Sequence, residues 1–384
     1  MTTTRRDVLR LAGRLGAAGA VAGLGSYGAW LSHRPATAGH ADLLGRPLRI
    51  GYLPITDASA LLTAHHHGYF HDAGLPAGQP TLFRSWEALA QAFVVGEVDV
   101  VHLLMPLAIQ LKLAARAPVT VVGWGHTNGS ALTVAPEITR TEQLAGTTFA
   151  IPSWWSVHSV LLQRILRDAG LRPVVRESAG PGTVELVVMP PAEMVTALAG
   201  GTISGYVVAD PFNAAAEVQG IGRIHRFLGD VWHDHACCAV VVRDELIDDH
   251  PEAVSALLQG VLRAQQWLDG NRPEAAGVLH ETYLPQPLPA IDKVFTRTPA
   301  DYGGVIRNPD WQGERLGFTP FPQPSYTREL ASLMQQTLID GETGFLSSID
   351  PAEVHDLVVD DSFIREALTS QGQSIVLRTE ELSS

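Results

Sequence analysis

The chain has 384 residues, 46% of them hydrophobic and 17% charged, enough to bury a large core and, by length, to form two domain-sized units. A formal net charge of -13 opposes nucleic acid and anionic lipid surfaces, and no Lys/Arg-rich run or zinc-finger spacing offsets it, so nucleic acid is not an expected partner. That charge does not speak against a small anionic ligand, because a buried cleft with a few inward donors sets its own potential.

At the N-terminus, Thr4-Arg5-Arg6-Asp7-Val8-Leu9-Arg10 precedes a weakly apolar, Ala/Gly-rich run from Leu11 to Leu31. This resembles a twin-arginine export signal, which predicts a signal over residues 1–38, cleaved after Ala36-Thr37-Ala38, and a linker over 39–46. The destination is then the periplasm or cell surface. An uncleaved anchor is the alternative, because Leu15 to Leu31 is about 17 residues, the lower limit for a bilayer span.

Beyond the linker the pattern alternates strand and helix. Strands are predicted at Pro47 to Pro54, Thr81 to Arg84 and Val98 to Leu104, with helices at Ser59 to Phe70 and Trp86 to Val95. The same grammar resumes with strands at Thr147 to Ile151, Val184 to Val188 and Tyr206 to Ala209, and with helices at Val157 to Asp168 and Glu193 to Ala199. Ala236 to Val242 is a further strand, Asp248 to Trp267 a long helix, and Thr327 to Ile339 and Pro351 to Leu357 are helices near the C-terminus. The only two cysteines, Cys237 and Cys238, fall in an apolar strand and read as small buried residues. Two segments echo each other without a gap: AFVVGEVDVVHLLMP, from Ala92 to Pro106, and ALAGGTISGYVVADP, from Ala197 to Pro211. Each runs from a helix through a glycine stop into a buried strand that ends at proline. Two α/β units follow, and open α/β sheets bind ligands outside the carboxyl ends of their strands.

A family likeness covers the chain from Leu48 to about Tyr326. Ile50-Gly51-Tyr52-Leu53-Pro54 leads into Thr56-Asp57-Ala58 and Gly68-Tyr69-Phe70. Ser85-Trp86, His102 to Pro106, Pro190 to Val195, Asp210-Pro211-Phe212-Asn213 and Gln219 to Gly222 follow, then Val231-Trp232-His233-Asp234-His235 and Ala264-Gln265-Gln266-Trp267. In order and spacing these pieces resemble the solute-binding proteins of ABC importers for nitrate, bicarbonate, sulfonates and taurine, above all the nitrate and bicarbonate branch. The resemblance implies an α/β, two-lobed fold of the type II periplasmic-binding-protein kind, with a ligand cleft between lobes that close by hinge motion. The boundaries expected are 47–129 for the first part of lobe 1, 130–237 for lobe 2, 238–370 for the return to lobe 1 with C-terminal helices, and 371–384 for a flexible tail. The implied function is a monomeric receptor, not an enzyme, that needs no cofactor. It would deliver a small anion of the nitrate, bicarbonate or sulfonate type to an ABC permease in the membrane. A larger organic ligand such as a pyrimidine thiamin precursor, or an enzyme like those of thiamin-precursor synthesis, is the alternative.

In nitrate-binding members of that family the anion is held by a tryptophan matching Trp86, a histidine matching His158 and a lysine whose place is taken here by His233. A histidine titrates near pH 6.5 when unperturbed, so a cationic His233 would stand in for the lysine. Ser85 and the helix start behind it offer donors to an anion. Thr56 and Asp57 open the first helix in the equivalent place and serve equally as an ordinary cap. Trp155 and Ser156 precede His158, and Trp86, Trp124, Trp154 and Trp155 would line a cage for an organic ligand. Pro106 and Asp210 at strand ends, with Asn128 and Ser130 at the first crossover, complete the expected ligand-facing set. His233 and His235 flank Asp234 and invite a metal. Such a site needs three or four converging ligands, which the sequence does not display, so none is expected. The run His65-His66-His67 cannot face one way on a helix and reads as a solvated helix end. No Gly-x-Ser-x-Gly, His-Glu-x-x-His or phosphate-loop motif is present.

Overall fold

The computed structural model describes residues 42–308, 310–311 and 315–383, and the expected export signal falls outside them. In lobe 1, β1 (Ile50–Tyr52), β2 (Thr81–Leu82) and β3 (Val100–Leu104) run parallel in the order β2-β1-β3. The sequence of β3, Val-Val-His-Leu-Leu, is buried at every position, as a strand covered on both faces requires. After β4 (Val119–Trp124) and the short β5 (Thr127–Asn128), the chain enters a second sheet at β6 (Ser130–Val134). That sheet continues with β7 (Thr148–Ile151), β8 (Arg172–Val174), β9 (Thr183–Val188), β10 (Gly205–Ala209) and β11 (Arg223–Phe227), in the order β11-β6-β10-β7-β9-β8. The chain then returns to lobe 1 as β12 (Cys238–Arg243), and β13 (Leu316–Gly317) later pairs with β5.

Each sheet receives one antiparallel strand at its crossover. β12 lies between β3 and β4, antiparallel to both, and β6 lies between β10 and β11 in the same sense. The sequence echo is the linear trace of this duplication. The helices Trp86–Val94 and Pro191–Ala199 precede β3 and β10. The chain turns after them through Gly96 and Gly201 at φ of 80° and 67°, a backbone that only glycine adopts cheaply. Pro106 and Pro211 end the strands by opening the next helices, Met105–Leu113 and Phe212–Val218, where a fixed φ and a missing N–H cost little.

Some elements differ from expectation. The helix predicted over Ser59 to Phe70 breaks at Gly68 into Ser59–His66 and Tyr69–Asp72. The C-terminal helices occupy Pro324–Met334, Val354–Val358 and Ser362–Ser370. The segment expected to be a flexible tail lies along the second crossover. The Ser383 amide donates to the Val231 carbonyl at 2.7 Å, and the buried Trp232 indole donates to Glu380 at 2.7 Å. A sealed indole N–H needs an acceptor, and the tail supplies it.

Candidate functional site

The carboxyl ends of β1 and β3 and the amino end of the antiparallel β12 lie at one edge of the lobe 1 sheet. The matching edge of lobe 2 carries the end of β10, the start of β6 and the loop after β7. Asp57 stands in the 3-10 turn Thr56–Ala58 after β1, His102 within β3, and Cys238 at the start of β12. His126 lies in the first crossover, and His235 and Cys237 in the second. From lobe 2 come Ser130, which opens β6, and His158, in the first turn of the helix Val157–Asp168. Ser156 caps that helix by accepting the Ser159 amide at 3.1 Å, which fixes the turn that carries His158. All eight of these converging side chains are at most 1% exposed.

The contacts define one group. The Ser130 hydroxyl and His158 Nε2 are 2.9 Å apart, and Cys237 Sγ lies 3.7 Å from the same nitrogen. The two cysteine sulfurs are 3.7 Å apart. His126 Nε2 is 3.1 Å from Asp57 Oδ2 and accepts the Cys238 amide at 3.3 Å. A backbone amide can only donate, so with this partner Nε2 is the acceptor nitrogen of the ring and Nδ1 carries the proton. Both Asp57 oxygens therefore lack a hydrogen bond, as do both ring nitrogens of His102, His126 Nδ1, His235 Nε2 and Trp86 Nε1. Such a concentration of unmet polar atoms at full burial is costly in a protein interior and marks a place built for something else to bind. Trp86 stands edge-on to His102, with ring centroids 5.6 Å apart.

Burial decides the charge of the rings. It pushes His102 and His235 down to about 3 and His158 down to about 4, so these three are neutral at physiological pH. Burial also pushes the Asp57 carboxyl up, and its imidazole neighbours, His126 first, pull it down by more, leaving the group below its ordinary value. The site thus holds a carboxylate, neutral imidazoles, thiols, a hydroxyl and an indole N–H.

Of the residues singled out in the sequence, Asp57, Ser130 and His158 meet in this group, and Trp86 borders it through His102. The others lie elsewhere. Ser85 caps the helix Trp86–Val94 by accepting the Ala88 amide, and Pro106 is buried in the first turn of Met105–Leu113. Thr56 is a latch between the lobes, since its amide and hydroxyl both donate to the Asp210 carbonyl, at 2.9 and 3.0 Å. The Asp210 side chain pairs with Arg297. Asn128 donates to Asp234 at 2.9 Å, and Trp155 packs on Phe345. His233, expected in place of the lysine, sits at the tail, 3.4 Å from Glu381 and 2.9 Å from the Asn308 amide. Trp124 packs edge-on against Tyr326, and Trp155 packs on Phe345. His126 and the joint placement of His102, Cys237 and Cys238 were not anticipated. The signal for the last three was available in the two apolar strands ending at Leu104 and beginning at Ala236, had those strands been read as neighbours.

The sequence pattern of the NMT1-like family matches residues 45–282. The nitrate/nitrite binding protein NrtA of Nostoc sp. is 26% identical over 246 residues, 58% of this chain and 53% of that protein, so the chain spans about half the length of this curated relative. Among solved structures, the periplasmic nitrate-binding protein NrtA of Synechocystis PCC 6803 superposes with a TM-score of 0.71 at 20% identity, covering 87% of this chain and 90% of that one. A ligand-binding component of an ABC-type import system from Staphylococcus aureus, solved with zinc bound, superposes with a TM-score of 0.67 at 23% identity, covering 84% and 99%. These likenesses establish the two-lobed fold of periplasmic solute-binding proteins. With a match that takes in more than half of its length, the chain belongs to the NMT1-like family.

Proposed function

We propose that this protein is an extracytoplasmic solute-binding receptor that presents a small ligand to the permease of an ABC importer. The observation that carries the reading is the sealed polar group between the carboxyl edges of two sheets linked by crossovers, a place a ligand reaches by hinge opening. The similarity to nitrate/nitrite binding proteins supports a small anion as cargo. A second reading, an organic ligand with donor groups such as an aminopyrimidine, is favoured by Asp57, because a buried carboxylate attracts an N–H and repels an anion. Export by the twin-arginine route, suggested by Arg5-Arg6, would bring the receptor across the membrane already folded. Thermal shift against nitrate, nitrite, bicarbonate, sulfonates, taurine and pyrimidines tests the reading. A true ligand at 100 times its dissociation constant stabilises by about 2.7 kcal/mol. Failure of the whole panel, together with turnover of any member, would replace the receptor by an enzyme.

A further inference from the structure

We propose that Asp57, His126, Cys237 and Cys238 form a binding site for a thiophilic divalent metal ion, zinc in the first instance. The sequence offered only His233, Asp234 and His235 for a metal, and the fold separates His233 from the cleft. It brings a different set together. One ligating atom from each of the four residues lies within 4.8 Å of the other three, and all four residues are buried. They arrive from three places: the turn after β1, the first crossover, and the second crossover where it enters β12.

The separations resemble a coordination shell more than a hydrogen-bonded network. Zinc–sulfur bonds of about 2.3 Å at a tetrahedral angle set two sulfurs about 3.8 Å apart, and zinc bonds of about 2.0 Å set a nitrogen and an oxygen about 3.3 Å apart. The Cys237 and Cys238 sulfurs are separated by 3.7 Å, and His126 Nε2 and Asp57 Oδ2 by 3.1 Å. The second pair is the more telling. His126 Nε2 lies 3.1 Å from Asp57 Oδ2 while also facing the Cys238 amide at 3.3 Å, so one ring nitrogen stands between a carboxylate and a donor. A cation beside both satisfies the carboxylate and the ring nitrogen together, whereas an anion satisfies neither. Two sulfurs, one imidazole and one carboxylate make a set that zinc accepts and that calcium or magnesium, which require oxygen, do not. Both cysteines are free thiols, so coordination as thiolates releases their two protons to solvent.

The site stands on the side chains and is independent of the transport reading.

The test uses the full chain, stripped with a chelator and titrated with cobalt(II). One equivalent should produce the near-ultraviolet charge-transfer band of a cobalt–thiolate bond, and zinc should abolish it. Cys237→Ser and Cys238→Ser should weaken the band and lower zinc affinity, measured against a chromophoric chelator, by roughly 100-fold or more, since losing even an outer-shell partner costs 10–100-fold. Asp57→Asn should lower affinity while retaining the band, and His233→Ala should change neither. Circular dichroism establishes that each variant is folded. A wild-type protein without the band, or serine variants that bind zinc as tightly as wild type, would overturn the proposal. So would an intact mass showing Cys237 and Cys238 joined as a disulfide. Binding of a cargo without the cobalt band would retain the receptor and remove the metal; the band without any cargo would do the reverse.

Discussion

The ion pair between Arg297 and Asp210 permits a test in which two substitutions at one contact should fail differently. Both side chains are sealed from water, at 1% and 0% exposure, and the Asp210 carbonyl is the acceptor of the Thr56 latch. Removing one partner of a buried pair costs about 3–5 kcal/mol, a large share of a typical stability of about 5–15 kcal/mol. In Arg297→Met the stranded carboxyl has an escape, which is to bind a proton. Burial already pushes the Asp210 carboxyl up while Arg297 pulls it down, so losing Arg297 raises it further. A folded-state pKa above the unfolded value of 3.8 means that the folded state binds more protons between the two. Stability is therefore retained below the unfolded value and falls by about 1.4 kcal/mol per unit as pH rises through the window up to the folded value. In Asp210→Asn the guanidinium stays charged at any working pH, so the cost is flat. Urea unfolding at about pH 5 and about pH 7 measures both. Relative to wild type, Arg297→Met should lose up to about 2.7 kcal/mol more at the higher pH, and Asp210→Asn less than about 0.5 kcal/mol. The double variant should recover most of the loss. Parallel pH profiles for the two single variants would refute the argument.

The Asp99 carboxylate binds Arg46 and Arg49, each at 2.6 Å, in front of β1. Burial raises it, the bonds from both arginines lower it, and the net result is about 2. Its contribution is thus present above the unfolded value of 3.8 and lost as pH falls through about 2. With both arginines nearly half exposed, Asp99→Asn should cost about 1–2 kcal/mol at neutral pH and almost nothing at acid pH; an equal cost at both in urea titrations would contradict the clamp. Thr56→Val deletes one of the two bonds to Asp210, and small-angle scattering should report a larger radius of gyration for the variant if these bonds hold the lobes together. Glu380→Ala leaves the buried Trp232 indole without its acceptor and should cost about 1–3 kcal/mol in thermal melts, with part of the loss recovered in Glu380→Gln.

The parallel strands were legible because each comes with a helix, a glycine stop and a proline, as at β3 and β10. β4, β6 and β11 were not read: β6 follows β5 with no helix between, and β4 and β11, though each follows a helix, do not end at a proline, so they lack the full signature. That omission hid His126. Asp57 and His158 sit on loops that the β/α pattern places at a sheet edge, and Ser130 came with the expected crossover. His126 stands between β4 and β6, and Cys238 becomes a neighbour of Leu104 only through the β3 to β12 register. Long-range pairing of this kind has no local signature. For His233 the motif position was legible, whereas its contacts with Glu381 and Asn308 depend on residues distant in sequence.

The strands that carry the chain into and out of lobe 2 lie side by side, with Ala131 opposite Phe227. On the lobe 1 side Trp124 is opposite Ala239 in the same manner. The second lobe is thereby an insert whose ends meet across one ladder rung, about 5 Å. Exchanging such a segment takes two adjacent cuts and a match to residues 297–308 and Trp311, which pack on it. Ser130 and His158 would travel with it, while Asp57, His102 and Cys238 stay behind. Grafting a lobe from one relative onto the partner lobe of another would recombine half-sites intact, a route by which receptors of this build can acquire new cargo without rebuilding either sheet.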